Sequence, residues 1–485
     1  MRKIESRIEK YSMHKGKSQL LLPIMGWALS IIAFYPGFMS PDSLNQYSQA
    51  LNKSFNDHHP VVMAVLWSEF NKLASGPFPM LLFQATMYWL AIGIIYLKKI
   101  EKKNSILLIL VSFSPFILSI LGVIWKDVHF AAGLLLLVAS SLDRKKFKIR
   151  ILNTIVLALE VLLILYISNV RGNSWLVILL VMYLWINSYL KSVTTLKKIC
   201  ASLILTIGLF GIGQYFTYQT VKAKPTYIVN DYLVDNLIYF SVLEGESLIP
   251  EIDYDDMVAC LPGTIAEMKL NLRFFCLNIS GKYNTSSINT DQLLDKFKQM
   301  IAKYPWAFFK YKLAAFSEFE GTFWHKNYYY WQTGGVDSNT LGIEQTDNFF
   351  TTLLKKYVDT FATLLPFVFS PLFWLWSSLV LVTLSWRRRN IDTEHVSLIL
   401  AASAFLYNFQ NILGAGGPDF RYFYWSAIAT TFSMILLKLN MPNTLAYEIK
   451  SSSVPWKAFW IILTIMFIFQ VQIFHHVDYL DLMQN

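Results

Sequence analysis

Residues 106–142 read ILLILVSFSPFILSILGVIWKDVHFAAGLLLLVASSL, and the only Lys, Arg, Asp or Glu among them are Lys126 and Asp127. One helix of ~36 residues would be roughly 54 Å long at about 1.5 Å per residue, against about 30 Å of bilayer hydrocarbon. The stretch therefore reads as two membrane spans, 106–125 and 127–142, meeting at a tight Trp125-Lys126-Asp127 corner. That corner sets a lysine and an aspartate at one membrane face, and the rest of the chain decides which face it is.

Outward from this stretch the composition agrees. Of 485 residues, 54% are hydrophobic and only 15% charged, and the mean hydropathy is +0.40. Soluble domains carry about 25% charged residues, so the length is not that of several soluble domains in series. Further spans fall near 20–38, 78–97, 151–169, 174–190, 199–221, 358–385, 396–414, 421–438 and 456–474, which gives about 11 with the two above. The fold class expected is an all-α polytopic membrane protein.

The formal charge of +10 would suggest nucleic acid in a soluble chain. Here the basic residues sit in short clusters between apolar runs, the pattern of cytoplasmic loops, and a nucleic-acid partner is not expected. Basic clusters precede the first span and follow the second, fourth, sixth and eighth, the last of them Arg387-Arg388-Arg389. The N-terminus, 1–19, is therefore read as cytoplasmic, and the tail 475–485 as outer. The outer face then receives the first loop 39–77, the Lys126-Asp127 corner, the turn 169–173, the long segment 222–357 and the turn 415–420. Residues 20–221 form a seven-helix module, and 358–474 the C-terminal helices. The long segment holds half of the 32 acidic residues and is rich in aromatics over 304–331. It is too long for a connector and reads as a mostly helical extracytoplasmic domain against the membrane. Cys260 and Cys276 lie in it, and spacing alone does not pair them.

The residues able to carry chemistry gather on that outer face. In the first loop, Ser40-Pro41-Asp42 is a helix start, with Leu44, Tyr47 and Leu51 on one face behind it. A second start at His59-Pro60 leads a stripe of Val61, Val62, Val65, Leu66, Phe70 and Leu73. Two amphipathic interfacial helices fit this pattern. Asp42 reads either as a cap or as a functional carboxylate, and His58 and His59 as turn residues before ligands. Asp127 is an acid next to hydrocarbon, which is costly without a partner, and Lys126 beside it can snorkel. Arg171 and Asn173 occupy the turn Val170-Arg171-Gly172-Asn173. Arg421 follows Pro418-Asp419-Phe420 at a helix start, where a cation is disfavoured unless an anion is near. A phosphate would satisfy it bidentately, and so would an ion pair with Asp419 or Asp127. Trp324 and His325, with Glu318, Glu320 and the run Tyr328–Trp331, read as a sugar-stacking wall or as an interfacial aromatic belt. Asp253-Tyr254-Asp255 has the form of a DxD metal motif, a weak signal in an acidic loop, and no metal is assigned. Glu160 is the clearest acid inside a span.

An outer first loop with Asp42-Ser43 and a His-Pro leading a second interfacial helix resembles the GT-C superfamily of membrane glycosyltransferases. The protein-mannosyltransferase-like members look most similar, although they commonly carry Asp-Glu where this chain has Asp42-Ser43. The second acid at the outer corner, Asp127, and a seven-helix module followed by a large outer loop are likewise similar to GT-C features. The Lys-Asp corner, the Arg-x-Asn turn and the Pro-Asp-Phe-Arg-Tyr sequence also resemble a set of uncharacterised bacterial GT-C-like proteins. The resemblance implies an enzyme of the cell membrane, bacterial rather than endoplasmic reticular, that moves a sugar from a polyprenyl-phosphate donor to a glycan, lipid or protein hydroxyl. It implies Asp42 as general base, with Asp127 and His59 orienting the reactants. Arg421, with Arg171 or Lys126, would then face the lipid phosphate, and Asn173, Asp419, Trp324 and His325 would line the site. No cofactor is expected, and the bilayer itself is a partner. The rival readings are a flippase or transporter of lipid-linked saccharides, for which Glu160 would be the marker, and an oligosaccharide polymerase.

Overall fold

A computed structural model describes residues 20–439, apart from 100–104, 143, 145–146, 260–278, 280, 322–331, 333–334, 346, 387–391 and 415–418. The described chain is all-helical, with 77% of it in helix. In chain order the first helices are α1 (Leu21–Phe34), α2 (Pro41–Asn52), α3 (Val61–Phe70), α4 (Phe78–Lys99), α5 (Ser105–Ser112), α6 (Pro115–Leu121) and α7 (Lys126–Ser141). They are followed by α8 (Arg150–Val170), α9 (Trp175–Tyr189), α10 (Thr195–Tyr215), α11 (Ile228–Glu244), α12 (Tyr254–Ala259), α13 (Thr290–Lys303) and α14 (Pro305–Gly321). The last are α15 (Phe349–Leu364), α16 (Pro371–Trp386), α17 (Asp392–Phe409) and α18 (Tyr424–Leu439). Among the described residues three stretches are long and apolar enough to cross a bilayer: Phe78–Leu97, Arg150–Val170 and Thr195–Thr220.

The sequence pattern expects longer spans than the chain forms, and proline explains most of the difference. The 106–125 run is not one helix. Ser114-Pro115 separates α5 from α6, because proline at the first turn of α6 lacks the N–H that would continue the ladder. The run then ends as a turn at Gly122 followed by non-helical chain from Val123 to Trp125. The 358–385 run is likewise two helices, α15 and α16, separated by a 3₁₀ turn at Pro366–Phe369. The expected domain boundary at 357 therefore falls inside α15, which packs on α1 and α6. The eleventh expected span, 456–474, the terminal segments 1–19 and 475–485, and Cys260 and Cys276 lie outside the described residues.

Helix α7 is the axis of the molecule: it packs against α4, α8, α9 and α18 and is buried along nearly its whole length. The α8 and α10 helices sit at the periphery, with Leu159, Leu162, Ile204 and Ile207 exposed. Helices α16, α17 and α18 pack on one another, and their buried Ser385, Ser397 and Ser433 hydroxyls hydrogen-bond among themselves. Helices α11 to α14 carry a second core of their own that includes Val234, Leu237, Phe240, Leu293 and Met300.

Loop 39–77 forms the two helices that its sequence predicts. In α2, Leu44 and Tyr47 are buried as expected, and Leu51 is exposed. In α3 Val61 is buried as expected, but Met63, Ala64 and Trp67 complete the buried face, while Val62, Val65, Leu66 and Phe70 are only partly buried and Leu73 is exposed. Trp67 turns the helix: its ring packs on Tyr47 at 5.0 Å between centroids, and its Nε1 donates to the Gly76 carbonyl.

Between α1 and α2 the chain is extended, and it is bridged on both sides. Phe38 pairs with Val123, and Met39 pairs with Val336. The Phe38 N–H donates to the Gly122 carbonyl, and the Ile124 N–H donates back to Phe38. On the other side Met39 donates to Gly335, and Asp337 donates to Met39. Phe38 and Met39 are fully buried, so each of these bonds satisfies a backbone group that water cannot reach. This pairing places the start of α2 beside the start of α7.

Gly122 is the tight point of that pairing, because a Cβ there would run into the Phe34 ring. Gly122→Ala is expected to lower stability by about 1–3 kcal/mol through overpacking, read as a lower melting temperature of the detergent-purified protein. Gly208→Ala on α10, where a Cβ meets nothing within 4 Å, is the control, and equal shifts in the two variants would refute the assignment.

Candidate functional site

Four helix or turn starts converge where α2 meets α7. Pro41 occupies the first turn of α2 and Asp42 follows it, with a carboxylate at the positive end of the helix. Ser40 does not cap this helix with its side chain; its Oγ accepts from Trp125 Nε1 at 2.7 Å instead. The Ser43 hydroxyl donates to the Ile124 carbonyl at 2.8 Å. These two bonds lock the Asp42 turn to the Trp125-Lys126-Asp127 corner. A further contributor is a 3₁₀ turn, Phe420–Phe423, that leads into α18 and carries Arg421.

Arg421 is the hub. Its Nη1 donates to Asp42 Oδ2 at 2.6 Å, and its Nε lies 2.8 Å from Asp419 Oδ2. Asp419 also accepts from the Arg421 backbone N–H at 3.0 Å, which fixes the turn. The guanidinium carbon stands 4.9 Å from the centre of the Trp125 ring and 5.1 Å from that of Tyr422, within cation–π range. A second cation lies beside it. Arg171, at the C-terminal end of α8, pairs with Asp127, and both side chains are buried. Its guanidinium carbon is 5.0 Å from the Tyr407 ring and 5.9 Å from Tyr422. Tyr422 thus has both guanidiniums within 6 Å of its ring. Losing one partner of a buried pair strands the other charge, at a cost of roughly 3–5 kcal/mol, so Asp127 and Arg171 frame the site.

Burial sorts the remaining titratable groups. His59, just ahead of α3, is buried, and burial together with the nearby Lys126 charge pushes its pKa down to about 3, so the imidazole is neutral. Its Nδ1 is buried without a hydrogen-bond partner among the described residues. Lys126 is pushed down to about 8, first by burial and then by Arg171 and Arg421, with Asp42 opposing. Asp42 feels burial that raises its pKa, but Arg421 and Lys126 outweigh it and hold the carboxyl below its ordinary value. Asp419, more deeply buried than Asp42, is pushed up to about 6 despite Arg421.

The structure thus gathers Asp42, His59, Lys126, Asp419 and Arg421 in one cluster, with the Asp127–Arg171 pair adjoining it. Asn173 is not part of it: that side chain is exposed on the 3₁₀ turn after α8. Trp324 and His325, with the aromatic run behind them, lie outside the described residues. The Asp253 motif makes ordinary contacts, with Asp253 and Asp256 both meeting Lys282 and Tyr283. Among the described residues no three His, Cys, Asp or Glu side chains are grouped to hold a metal ion. Glu160 is buried at 5% exposure, but it is not an isolated acid in mid-span. It takes bonds from Arg144, Trp185 and Tyr189, level with the C-terminal ends of α7 and α9.

Sequence reasoning missed Tyr407 and Tyr422 as guanidinium neighbours, although Tyr422 adjoins Arg421. It also missed Asp57, whose carboxylate accepts from the Thr226 N–H at 2.6 Å, the Thr226 hydroxyl at 2.7 Å and the Tyr218 hydroxyl at 2.7 Å. Asp57 ties the His58-His59 turn to the segment after α10, and only its place two residues before His59 could have signalled this.

A scan of protein-family models, a search of curated proteins and a search of solved structures find no match to this chain.

The Asp419 shift has a checkable sign. Its folded pKa of about 6 lies above the ordinary 3.8, so the native state binds this proton more tightly. The stabilisation is fully present below pH 3.8 and lost as pH rises through about 6. His59, shifted down, works in the opposite direction, so the variant must be compared with the wild type. The melting temperature of Asp419→Asn relative to wild type is expected to rise between pH 4 and pH 7, and a constant difference across that window would contradict the shift.

Proposed function

We propose that this chain is a membrane glycosyltransferase that moves a sugar from a polyprenyl-phosphate donor to an acceptor hydroxyl at the extracytoplasmic membrane boundary. The observation that carries the reading is the state of Asp42. Its side chain is more exposed than those of Arg421 and Asp419, ionised and held through Oδ2 by Arg421, while Oδ1 makes no hydrogen bond among the described residues. A carboxylate fixed by one oxygen and open at the other is suited to receive a proton.

In the proposed step the acceptor oxygen bonds to the anomeric carbon as the bond from that carbon to the phosphate oxygen breaks. The acceptor proton passes to Asp42, and the polyprenyl phosphate leaves with the bonding electrons. An unshifted aspartate has a pKa near 3.9 and is a weak base, so this transfer comes late, as an oxocarbenium-like centre forms.

The ion pairs support a different division of roles among the cations than the one the sequence suggests. Arg421 is engaged by two carboxylates and Arg171 by one. Lys126 makes no ion pair among the described residues, and it is the cation available to a phosphate. His59, neutral at physiological pH, can hold a hydroxyl without competing for its proton. Glu160, the marker of a transporter, is already satisfied by Arg144, Trp185 and Tyr189.

The test is transfer from polyprenyl-phosphate sugars in membranes containing the protein. Asp42→Asn is expected to lower the turnover rate roughly 10²–10⁴-fold, the range for a lost general base, with the donor KM little changed. Lys126→Ala is expected to raise the donor KM by about 10–100-fold, the equivalent of one charge-assisted hydrogen bond. Undiminished transfer by Asp42→Asn would end this reading.

A further inference from the structure

The outer domain carries an apolar stripe that its own core does not use. On α14 the inward face is well occupied: Tyr311 stacks on Tyr239 at 4.3 Å, and Phe308 meets Phe240 and Phe297. The opposite face shows Trp306 at 64%, Phe309 at 47% and Leu313 at 46% exposure. These positions are three and seven residues after the first, so they form one ridge along the helix. The Trp306 and Phe309 rings are stacked at 5.3 Å, which makes them one flat apolar surface instead of two independent side chains.

We infer that this face of α14 seats in the headgroup–acyl boundary of the outer leaflet and anchors the outer domain to the bilayer. Three observations select lipid as the occupant. The first is continuity, since α14 packs on α16 and on the turn Gln410–Ile412, and Phe316 touches Phe409 edge-on. Phe409 and Leu413, at the outer end of α17, are themselves 44% and 65% exposed. The ridge therefore runs on into the apolar surface of the helix bundle. The second is residue type, because tryptophan sits by preference at the membrane–water boundary. The third is charge: Lys310 lies one turn from Trp306 on the same side, has no ion-pair partner among the described residues, and can reach headgroup phosphates while its stem stays in the apolar layer. A second copy of the chain fits less well, since three side chains fall far short of the ~800 Å² per partner of a stable protein interface. The inference rests on the membrane reading of the chain but not on the transferase reading.

The experiment places the photoreactive p-benzoyl-phenylalanine at position 309, and separately at 306, in the full chain in nanodiscs of phosphatidylethanolamine and phosphatidylglycerol. Illumination is followed by mass spectrometry of the adducts. Ile204 on α10, 70% exposed, serves as the lipid-facing reference, and Asp295 on α13, 69% exposed at its side chain, as the aqueous one. Lipid adducts at 309 and 306 close to the Ile204 yield, on the order of ten times that at Asp295, are expected of a buried interfacial face. Yields no higher than at Asp295, or protein–protein crosslinks in place of lipid adducts, would overturn the inference. Size-exclusion profiles matching wild type establish that each labelled chain is folded.

Discussion

The backbone of Phe38 and Met39 is the constraint on which the site depends. These residues are fully buried and lie outside any helix, so their amide groups need partners from elsewhere in the chain. Segment 122–124 supplies one set and segment 335–337 the other. The consequence is positional. With Phe38 bonded to the strand-like end of the α5–α6 region, Asp42 and Lys126 cannot drift apart without leaving buried amides unsatisfied, at roughly 1–3 kcal/mol for each group. The same pairing brings the end of the long segment 222–357 back onto the first loop, where Val336, Leu341 and Ile343 pack against the Tyr47–Trp67 cluster. One extended strand of chain thus joins three regions that are far apart in sequence.

Electrostatics then decides what the joined regions can do. Arg421 is shared by two carboxylates of unequal burial, and this splits them. The more deeply buried Asp419 moves up to about 6, while Asp42 stays ionised below its ordinary value. Two carboxylates on one guanidinium are thereby given different protonation behaviour. The aromatic faces of Trp125, Tyr407 and Tyr422 keep the cations in a partly dehydrated setting, where their fields are less screened than in water.

How far this was legible in the sequence follows from the range of each interaction. The long apolar helices at 78–97, 150–170 and 195–220 rest on local hydropathy, and they are found close to where the pattern puts them. The helix start at Pro41-Asp42 is local too, as is the charged corner at Trp125-Lys126-Asp127. The ends of spans were misjudged where Pro115 and Pro366 divide an apolar run that hydropathy alone reads as continuous. The buried face of α3 was misjudged because a single contact, Trp67 on Tyr47, outweighs the aliphatic stripe. The pairing of Asp42 with Arg421 spans 379 residues, and no spacing rule reaches so far. Each was visible as an unusual charge at an outer helix start, but that they answer one another is a property of the tertiary structure. Glu160 shows the reverse case. It looks isolated in the sequence because Arg144 and Tyr189, which satisfy it, belong to neighbouring loops and helices.

On the proposed reading, the unpaired Lys126 and the neutral His59 have a common origin. A preformed site for an anion must hold positive charge without neutralising it, and the cost appears as depressed pKa values for the basic groups. Lys126 at about 8 keeps most of its charge at neutral pH, yet it is close enough to its pKa that an arriving phosphate would bind its proton more firmly. His59 is too far below neutrality to respond in the same range. The anion therefore finds one cation ready and one neutral hydrogen-bonding ring, next to a carboxylate already tied to Arg421. Were Arg421 held by Asp42 alone, the phosphate would compete for it and could draw it from Asp42, releasing the carboxylate from its fixed position. Its double engagement keeps the base in place while the charge of the donor is received beside it, by Lys126 at the start of α7.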